Sequence, residues 1–380
     1  MSLNISALTA SNIRDLSTSQ VRDLTTAEIA QLTATQIAGF ETRDIVILSS
    51  SQISAFDASE FADGINVTYT RLSLLSAAAA RGITSAQLQA LSSTAIQTLT
   101  TAQLAGMQTA QLANFTSAQI AALTTGQVKG LTTDQIANLT TAQIAAIETI
   151  DLASLSSAQL SGFSSQAIAT LNSNQIAAIG SGQIAGLSTA QLSYFSTQQL
   201  SQLKPVSVAA LTTAQVSNLG SAQIAALTTA QIAALSSSAV AALTDTSTGQ
   251  VAALTSAQAA ALSSAAVSGL STAQIARLSS AQLNALSATQ LNAMSSAQLR
   301  AIETADVAAL TTAQVVKFDT SAISELSTAQ IVAMGSAQFA ALTAAQLKAL
   351  STAQLVVIDT VDVAALTTAQ IAALSSSAVA

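Results

Sequence analysis

Carboxylates are the side chains in this sequence whose spacing could support a metal site. Paired carboxylates are hard oxygen ligands of the kind that Ca²⁺ prefers, although Ca²⁺ takes roughly six to eight oxygens and one pair supplies too few. Acids are also favourable in the first turn of a helix, where free N–H groups attract negative charge. We expect this second role and keep calcium as the alternative and the one candidate cofactor. The candidates are four segments that each place two acids three positions apart: Glu41 and Asp44, Glu148 and Asp151, Glu303 and Asp306, and Asp359 and Asp362.

The sequence lacks the side chains that most enzymes use for catalysis. The 380 residues include no His, no Cys and no Trp, and Pro205 is the single proline. Histidine and cysteine supply most general bases, nucleophiles and transition-metal ligands. A Gly-rich loop followed by Lys and Ser or Thr, which would bind phosphate, is also missing. The sequence therefore predicts a protein that is not an enzyme, with no catalytic and no cofactor-binding residues.

Charge and hydropathy argue against two kinds of partner. Only 11 Lys and Arg residues are spread along the chain and the net charge is −7, so nucleic acid is not expected as a partner. No apolar run reaches the roughly 20 residues that a membrane-spanning helix needs. The first residues also lack the basic start and apolar stretch of a signal peptide. We expect no transmembrane segment, and no N-terminal signal is visible.

A period of eight residues organises almost the whole chain. Large apolar residues, here called anchors, recur at every eighth position in three runs, at 8–56, 67–243 and 254–374. Two breaks, at 64–66 and within 245–249, each add three residues and contain turn-forming residues. Each eight-residue unit is an octad, and its positions are numbered from the anchor, which is position 0.

Each octad carries the signals of a helix start. The consensus, as at 227–234, reads Leu-Thr-Thr-Ala-Gln-Ile-Ala-Ala. Thr228 followed three residues later by Gln231 is a capping box, and Leu227 with Ile232 holds the two positions of a hydrophobic staple. Position 4 is Gln, Glu or Asp in 35 of the 46 octads. The sequence therefore predicts one capped helix start per octad.

The period of eight excludes one continuous helix. Eight residues at about 100° each overshoot two turns, so the apolar stripe would spiral around the helix axis. Each octad must form its own short helix, and because so short a helix is unstable in isolation, its stability must come from stacking. We predict an all-α solenoid of very short capped helices.

A second periodicity bears on how many octads form one coil. Between residues 107 and 203, the variable anchors, among them Phe115, Ile147 and Phe163, alternate with anchors that are all Leu. This alternation predicts two octads per coil, with three octads per coil as the alternative.

Composition divides the chain into three parts. Residues 1–66 form a charged cap or contact region with divergent octads, since the segment 1–81 holds 13 of the 29 charges and a solenoid needs a terminal unit that shields its core. Residues 67–250 form a regular octad solenoid, and residues 251–380 continue the same rod. Ala380 stops one residue short of completing an octad, and we expect an open apolar end there.

The octads at Leu227 and Leu366 resemble the repeat tracts of large acidic surface or secreted proteins of bacteria, which are described as adhesin-like. The resemblance extends over nearly the whole chain. It implies an extracellular or bacterial cell-surface location and carries no functional residue over to this chain.

These observations support non-enzymatic functions. The leading hypothesis is a structural protein whose solenoid rods associate with copies of themselves, end to end or side to side, into an extracellular bacterial fibre or surface layer. The main alternative is a monomeric adhesin stalk or spacer module. A third hypothesis is ice binding, because Ser and Thr at positions 1 and 2 form regular rows of hydroxyls, although a capping hydroxyl is already engaged.

Overall fold

The computed structural model describes residues 5–65 and 71–375 and contains α-helices, one short 3-10 helix at Ile5–Ala7 and no strand in those ranges. The expected break at 64–66 is therefore only partly covered, and the expected open end at Ala380 lies outside the described residues. The chain forms two compact units, Met1–Leu187 and Ser188–Ala380. The prediction of an all-α solenoid of short helices is confirmed.

The helices of the first unit have four to eight residues each. They are α1 (Ala10–Arg14), α2 (Thr18–Asp23), α3 (Thr26–Ile29), α4 (Ala34–Ile37), α5 (Thr42–Ile45), α6 (Ser50–Ala55), α7 (Ala58–Ile65), α8 (Arg71–Leu74), α9 (Ala77–Ala80), α10 (Ser85–Ala90), α11 (Ser93–Gln97), α12 (Thr101–Gly106), α13 (Thr109–Leu112), α14 (Ser117–Ala121), α15 (Thr125–Gly130), α16 (Thr133–Ala137), α17 (Thr141–Ala146), α18 (Thr149–Ser154), α19 (Ser157–Leu160), α20 (Ser165–Thr170), α21 (Ser173–Ala178) and α22 (Ser181–Ala185).

The helices of the second unit have the same range of lengths. They are α23 (Thr189–Ser193), α24 (Thr197–Gln202), α25 (Pro205–Val208), α26 (Thr213–Asn218), α27 (Ser221–Ala226), α28 (Thr229–Ala234), α29 (Ser237–Ala241), α30 (Gln250–Ala253), α31 (Ser256–Ala261), α32 (Ser264–Ser268), α33 (Thr272–Ile275), α34 (Ser280–Ala285), α35 (Ala288–Asn292), α36 (Ser296–Ala301), α37 (Thr304–Ala309), α38 (Thr312–Val315), α39 (Thr320–Ser324), α40 (Thr328–Ala333), α41 (Ser336–Ala341), α42 (Ala344–Ala349), α43 (Thr352–Leu355), α44 (Thr360–Ala364) and α45 (Thr368–Ser375).

The typical helix starts at a capping box and ends at the next anchor. At α28, the Thr228 hydroxyl oxygen accepts from the Gln231 backbone N–H at 3.2 Å, and Gln231 Oε1 accepts from the Thr228 backbone N–H at 2.7 Å. The following anchor, Leu235, has φ −62° and ψ 136°, which is extended backbone that turns the chain out of the helix. The octad therefore contains both the start and the stop of its helix.

Three octads form one coil. Within each unit, a helix packs most extensively against the third helix before it and the third helix after it, as in the series α12, α15, α18 in the first unit and α25, α28, α31 in the second. Residues three octads apart therefore occupy equivalent places in successive coils where no insertion intervenes. The prediction of two octads per coil is wrong, and the alternative of three octads is confirmed.

The alternation of anchors has a different physical meaning from the one predicted. Along one edge of the first unit, anchors spaced by three octads are Phe115, Leu139, Phe163 and Leu187. Large and small anchors alternate from one octad to the next, and stacked anchors are three octads apart. Each bulky ring therefore lies between two smaller side chains of the adjacent coils. All four side chains are buried, so the alternation describes how large and small anchors interdigitate, and it does not give the length of a coil.

The core consists of the side chains at positions 0 and 5, and small residues let the coils approach closely. Leu227 and Ile232, the staple pair, are 3% and 1% exposed. Gly82 shows how close neighbouring coils come, because a Cβ atom added there would collide with the backbone of Ser50. The stacking that the short helices need is therefore supplied by both apolar side chains and tight backbone contact.

The second break in the octad period is a loop that keeps the capping chemistry. Gln250 Oε1 accepts from the Thr244 N–H at 2.9 Å, and the Thr244 hydroxyl accepts from the Gln250 N–H at 2.9 Å. The same reciprocal pair that normally spans three residues here spans six, with the exposed insertion between its two members, and α30 begins at Gln250 itself.

Candidate functional site

The glutamine at position 4 makes a second set of hydrogen bonds that links successive coils. Gln231 Nε2 donates to the carbonyl oxygens of Leu203 at 2.7 Å and Leu200 at 2.8 Å, which lie 28 and 31 positions earlier. The side chain is 1% exposed. One amide group therefore caps its own helix through Oε1 and binds the preceding coil through Nε2.

This arrangement recurs in both units and is called the glutamine ladder here. Each member donates from Nε2 to one or more backbone carbonyls of the preceding coil, and most members are buried. Members in the first unit are Gln36, Gln52, Gln87, Gln103, Gln111, Gln119, Gln127, Gln135, Gln143, Gln159, Gln175 and Gln183. Members in the second unit are Gln223, Gln231, Gln250, Gln258, Gln274, Gln282, Gln290, Gln298, Gln314, Gln330, Gln338, Gln346, Gln354 and Gln370.

The sequence predicted that the glutamine at position 4 caps its own helix. It did not predict the hydrogen bonds from Nε2 to the preceding coil. Capping requires only an acceptor, which Glu and Asp provide as well as Gln. Of the 35 octads with one of these residues at position 4, 29 have Gln. That preference for an amide was the available signal, because only the amide can also donate.

The ladder gives each coil two chemically different faces. One face presents the Nε2 donors, and the other presents the carbonyl acceptors of positions 0 and 5, as Leu203 and Leu200 do for Gln231. The donor face of one coil binds the acceptor face of the coil before it. Such an interface is heterologous and does not close on itself.

The second acid of each predicted pair occupies the ladder place. An ionised carboxylate accepts but cannot donate, so these positions interrupt the ladder. In three of the four octads, one carboxylate oxygen instead accepts from a hydroxyl 26 positions earlier, in the preceding coil. These bonds join Asp151 to Thr125 at 2.7 Å, Asp306 to Ser280 at 2.6 Å, and Asp362 to Ser336 at 2.7 Å.

Asp44 occupies the same place with different partners. Its side chain is fully buried, and Oδ2 accepts from the Glu41 backbone N–H at 2.8 Å. Oδ1 lies 3.8 Å from Arg43 Nε. Within residues 5–65 and 71–375, it is the one buried side-chain polar atom without a hydrogen-bond partner.

The first acid of each pair lies at the N-cap. The Asp359 carboxylate accepts from the Asp362 backbone N–H at 2.8 Å, as the helix-start interpretation expects. The side chains of Glu148 and Glu303 make no cap hydrogen bond. Glu41 makes no side-chain cap hydrogen bond either. The helix-start role therefore describes Asp359 well and the three glutamates only by position.

The predicted calcium candidates lie in separate octads. No three acidic side chains come together to hold a metal ion in the part of the chain that the structure describes. Calcium binding at these pairs stays the untested alternative to the helix-start role.

The coil formed by α43 to α45 exposes side chains that are buried elsewhere. At position 5, Ile331 and Leu347 are fully buried, whereas Val363 is 44% and Ile371 is 43% exposed. Val356, at position 6 of the same coil, is 77% exposed, and position 6 is also exposed in an earlier coil, at Val332. Within residues 71–375, Val363 and Ile371 are therefore less covered than the position-5 residues of the preceding coil.

None of the described helices is long and apolar enough to cross a membrane.

A solenoid of short capped helices joined by a repeated side-chain ladder defines a tandem-repeat protein. The ALTTAQ repeat model matches the chain in seven segments, at residues 81–117, 104–141, 144–181, 208–245, 287–320, 299–336 and 339–376. These segments cover more than half of the chain, which therefore belongs to the ALTTAQ repeat family. The family's six letters stand at 226–231, where they span the anchor, the cap and the ladder glutamine. No curated protein matches the chain.

Proposed function

We propose that this chain is a non-enzymatic structural protein whose solenoid associates with further copies of itself into an extracellular bacterial fibre or surface layer. The observation that supports self-association is the apolar face of the coil formed by α43 to α45, where Val363 and Ile371 are exposed although their equivalents are buried. The resemblance of the octads to bacterial surface proteins supports the extracellular setting.

The proposed joint repeats the contact between coils. The first coil of one copy supplies donors, among them the amide of Gln20, which holds the ladder place in α2 and is exposed. The coil formed by α43 to α45 of another copy supplies the carbonyls at positions 0 and 5 and the apolar side chains. Because donors meet acceptors only in this order, copies would add head to tail without closing.

Sedimentation velocity and negative-stain electron microscopy of the purified chain test this proposal. The unaltered chain should form concentration-dependent polymers that are visible as filaments. The double variant Val363→Asp and Ile371→Asp should remain monomeric, because two carboxylates would be buried without partners at the joint. Both side chains are already substantially exposed, so the fold should survive, which circular dichroism checks.

Val206→Asp is the matched control. Val206 is 64% exposed in α25, away from the α43–α45 coil, so this variant adds a charge at a surface valine and should still polymerise. Single particles of the unaltered chain at every concentration would overturn self-association and support the monomeric stalk. Loss of polymers in both variants would show that the contact does not lie at α43–α45.

A further inference from the structure

Three arginines from different coils of the first unit line one cleft. The cleft has a volume of about 520 Å³, and Arg14, Arg43 and Arg71 lie in its wall together with Glu41 and Thr42. The whole chain has only 11 basic residues and a net charge of −7. More than a quarter of its positive side chains therefore meet at one place, although successive members are separated by more than three octads of sequence.

Arg71 is held rigidly because it takes the ladder place of its octad. Its Nη1 donates to the Ile37 carbonyl at 3.2 Å, and its Nη2 donates to the carbonyls of Ala38 at 2.9 Å and Phe40 at 2.7 Å. A guanidinium has five N–H donors, so these three bonds leave two N–H groups that they do not use. The cationic group is thus fixed by the backbone of the preceding coil and not by an acid.

Arg43 has partners of its own within the cleft. Its Nε lies 3.2 Å from a Glu41 carboxylate oxygen, and its Nη2 donates to the Arg14 carbonyl at 3.2 Å. Asp44 Oδ1 lies beneath it at 3.8 Å. Glu41 and Asp44 lie nearest to Arg43, whereas no salt bridge in the described residues joins an acid to Arg14 or Arg71. The three guanidinium groups and two carboxylates together leave one net positive charge at the cleft.

The position of Arg71 in the cleft changes its pKa. Burial and, to a smaller extent, the like charge of Arg14 lower the pKa of Arg71 below its ordinary value. Two cations that approach each other in a partly desolvated cleft repel each other. An anion between them would convert this repulsion into two attractive contacts.

We propose that the cleft binds a small oxyanion, a phosphate, sulfate or carboxylate group, between Arg14 and Arg71. A planar guanidinium matches such groups through paired N–H donors, and Thr42 adds a hydroxyl to the wall. The volume fits a small molecule or one anionic group of a larger one.

Isothermal titration calorimetry of the full chain at low ionic strength tests the proposal with sodium phosphate, sodium sulfate and sodium acetate as separate ligands. At least one anion should bind saturably, with one site per chain. Arg71→Gln should weaken that binding at least tenfold. This variant restores the family's ladder residue, so the carbonyls of the preceding coil keep an amide donor and the fold is retained.

Arg14→Gln should weaken binding by a similar factor, and it tests the site without touching the ladder. Arg22→Gln is the matched control, because Arg22 is an exposed arginine in the neighbouring α2 that does not line the cleft, and its affinity should be unchanged. The anion bound most tightly identifies the group. Absence of saturable binding to all three anions, or equal affinity in all three variants and the unaltered chain, would overturn the proposal.

Discussion

Two octads that differ at position 4 show what holds the solenoid together. In the second unit, Gln231 receives a cap hydrogen bond and donates two bonds to carbonyls of the coil before it. In the first unit, Asp151 also lies at the start of a helix but only accepts, from the Thr125 hydroxyl. Both octads form helices of six residues. Helix formation therefore tolerates either side chain, whereas the hydrogen bonds to the backbone carbonyls of the preceding coil depend on the amide donor.

Removing the amide at Gln231 should give the largest effect on stability. Gln231→Ala deletes the cap acceptor and removes the Nε2 donor from the buried carbonyls of Leu200 and Leu203, of which Leu200 keeps the Leu203 N–H as a donor. We expect the free energy of unfolding to fall by about 3 kcal/mol. Urea denaturation followed by circular dichroism measures the loss.

Gln20→Ala is the control that isolates capping. Gln20 makes the same cap hydrogen bonds at Ser17 but is exposed in the first coil, so the expected loss is about 1 kcal/mol. Equal losses in the two variants would contradict a separate energetic role for the ladder.

Restoring the ladder at an acidic octad should have a smaller effect of opposite sign. Asp151→Gln supplies a donor for the carbonyls of Ile120 and Leu123, which hold the places that Leu200 and Leu203 hold for Gln231. The Thr125 hydroxyl loses its acceptor but can turn to solvent, since it is only half-buried. We expect a net gain of about 1 kcal/mol, visible as a raised melting temperature. A lower melting temperature would mean that the carboxylate–hydroxyl bond outweighs the ladder.

Protonation of an aspartate that only caps a helix should give the smallest effect on stability. The Asp319 carboxylate accepts from the Ala322 N–H and the Ser321 hydroxyl, each at 2.7 Å, and these bonds lower the pKa of Asp319. Because the pKa of the folded state lies below that of the unfolded state, the stabilisation is present above the ordinary value of 3.8 and is lost as the pH falls below it.

Asp319→Ser keeps a cap that does not titrate. The difference in melting temperature between this variant and the unaltered chain should be constant at neutral pH and change only in acidic buffer near and below the ordinary pKa of an aspartate. A difference that already changes near neutral pH would assign the titration to another group. The effect is small because Asp319 is largely exposed to solvent.

Local features of this fold could be read from the sequence, and long-range features could not. Thr228, Gln231 and the staple of Leu227 with Ile232 act within one octad, so their spacing predicted the helix starts and the need for stacking. The number of octads per coil depends on which helices meet across a full turn of the solenoid. The anchors predicted two octads per coil, which is wrong. Large anchors such as Phe115 and Phe163 alternate with smaller anchors stacked on them, and this alternation does not report the length of a coil.

The site shows the same limit. The ladder joins residues 28 and 31 positions apart, a distance that no local pattern encodes, and only the excess of Gln over Glu pointed to it. The arginine cleft was still less accessible, since Arg14, Arg43 and Arg71 occupy different octad positions and meet only through the stacking of three coils.

The interchangeability of octads has a consequence for how such a chain changes over generations. Every ladder glutamine contacts the backbone of an earlier octad, mostly at positions 0 and 5, and those positions are alike throughout the repeat. Loss or gain of a single octad by replication slippage would therefore move each later helix to a neighbouring edge and still place each amide over a matching pair of carbonyls. A gene of this kind can alter the length of its product in steps of one third of a coil without a new folding problem.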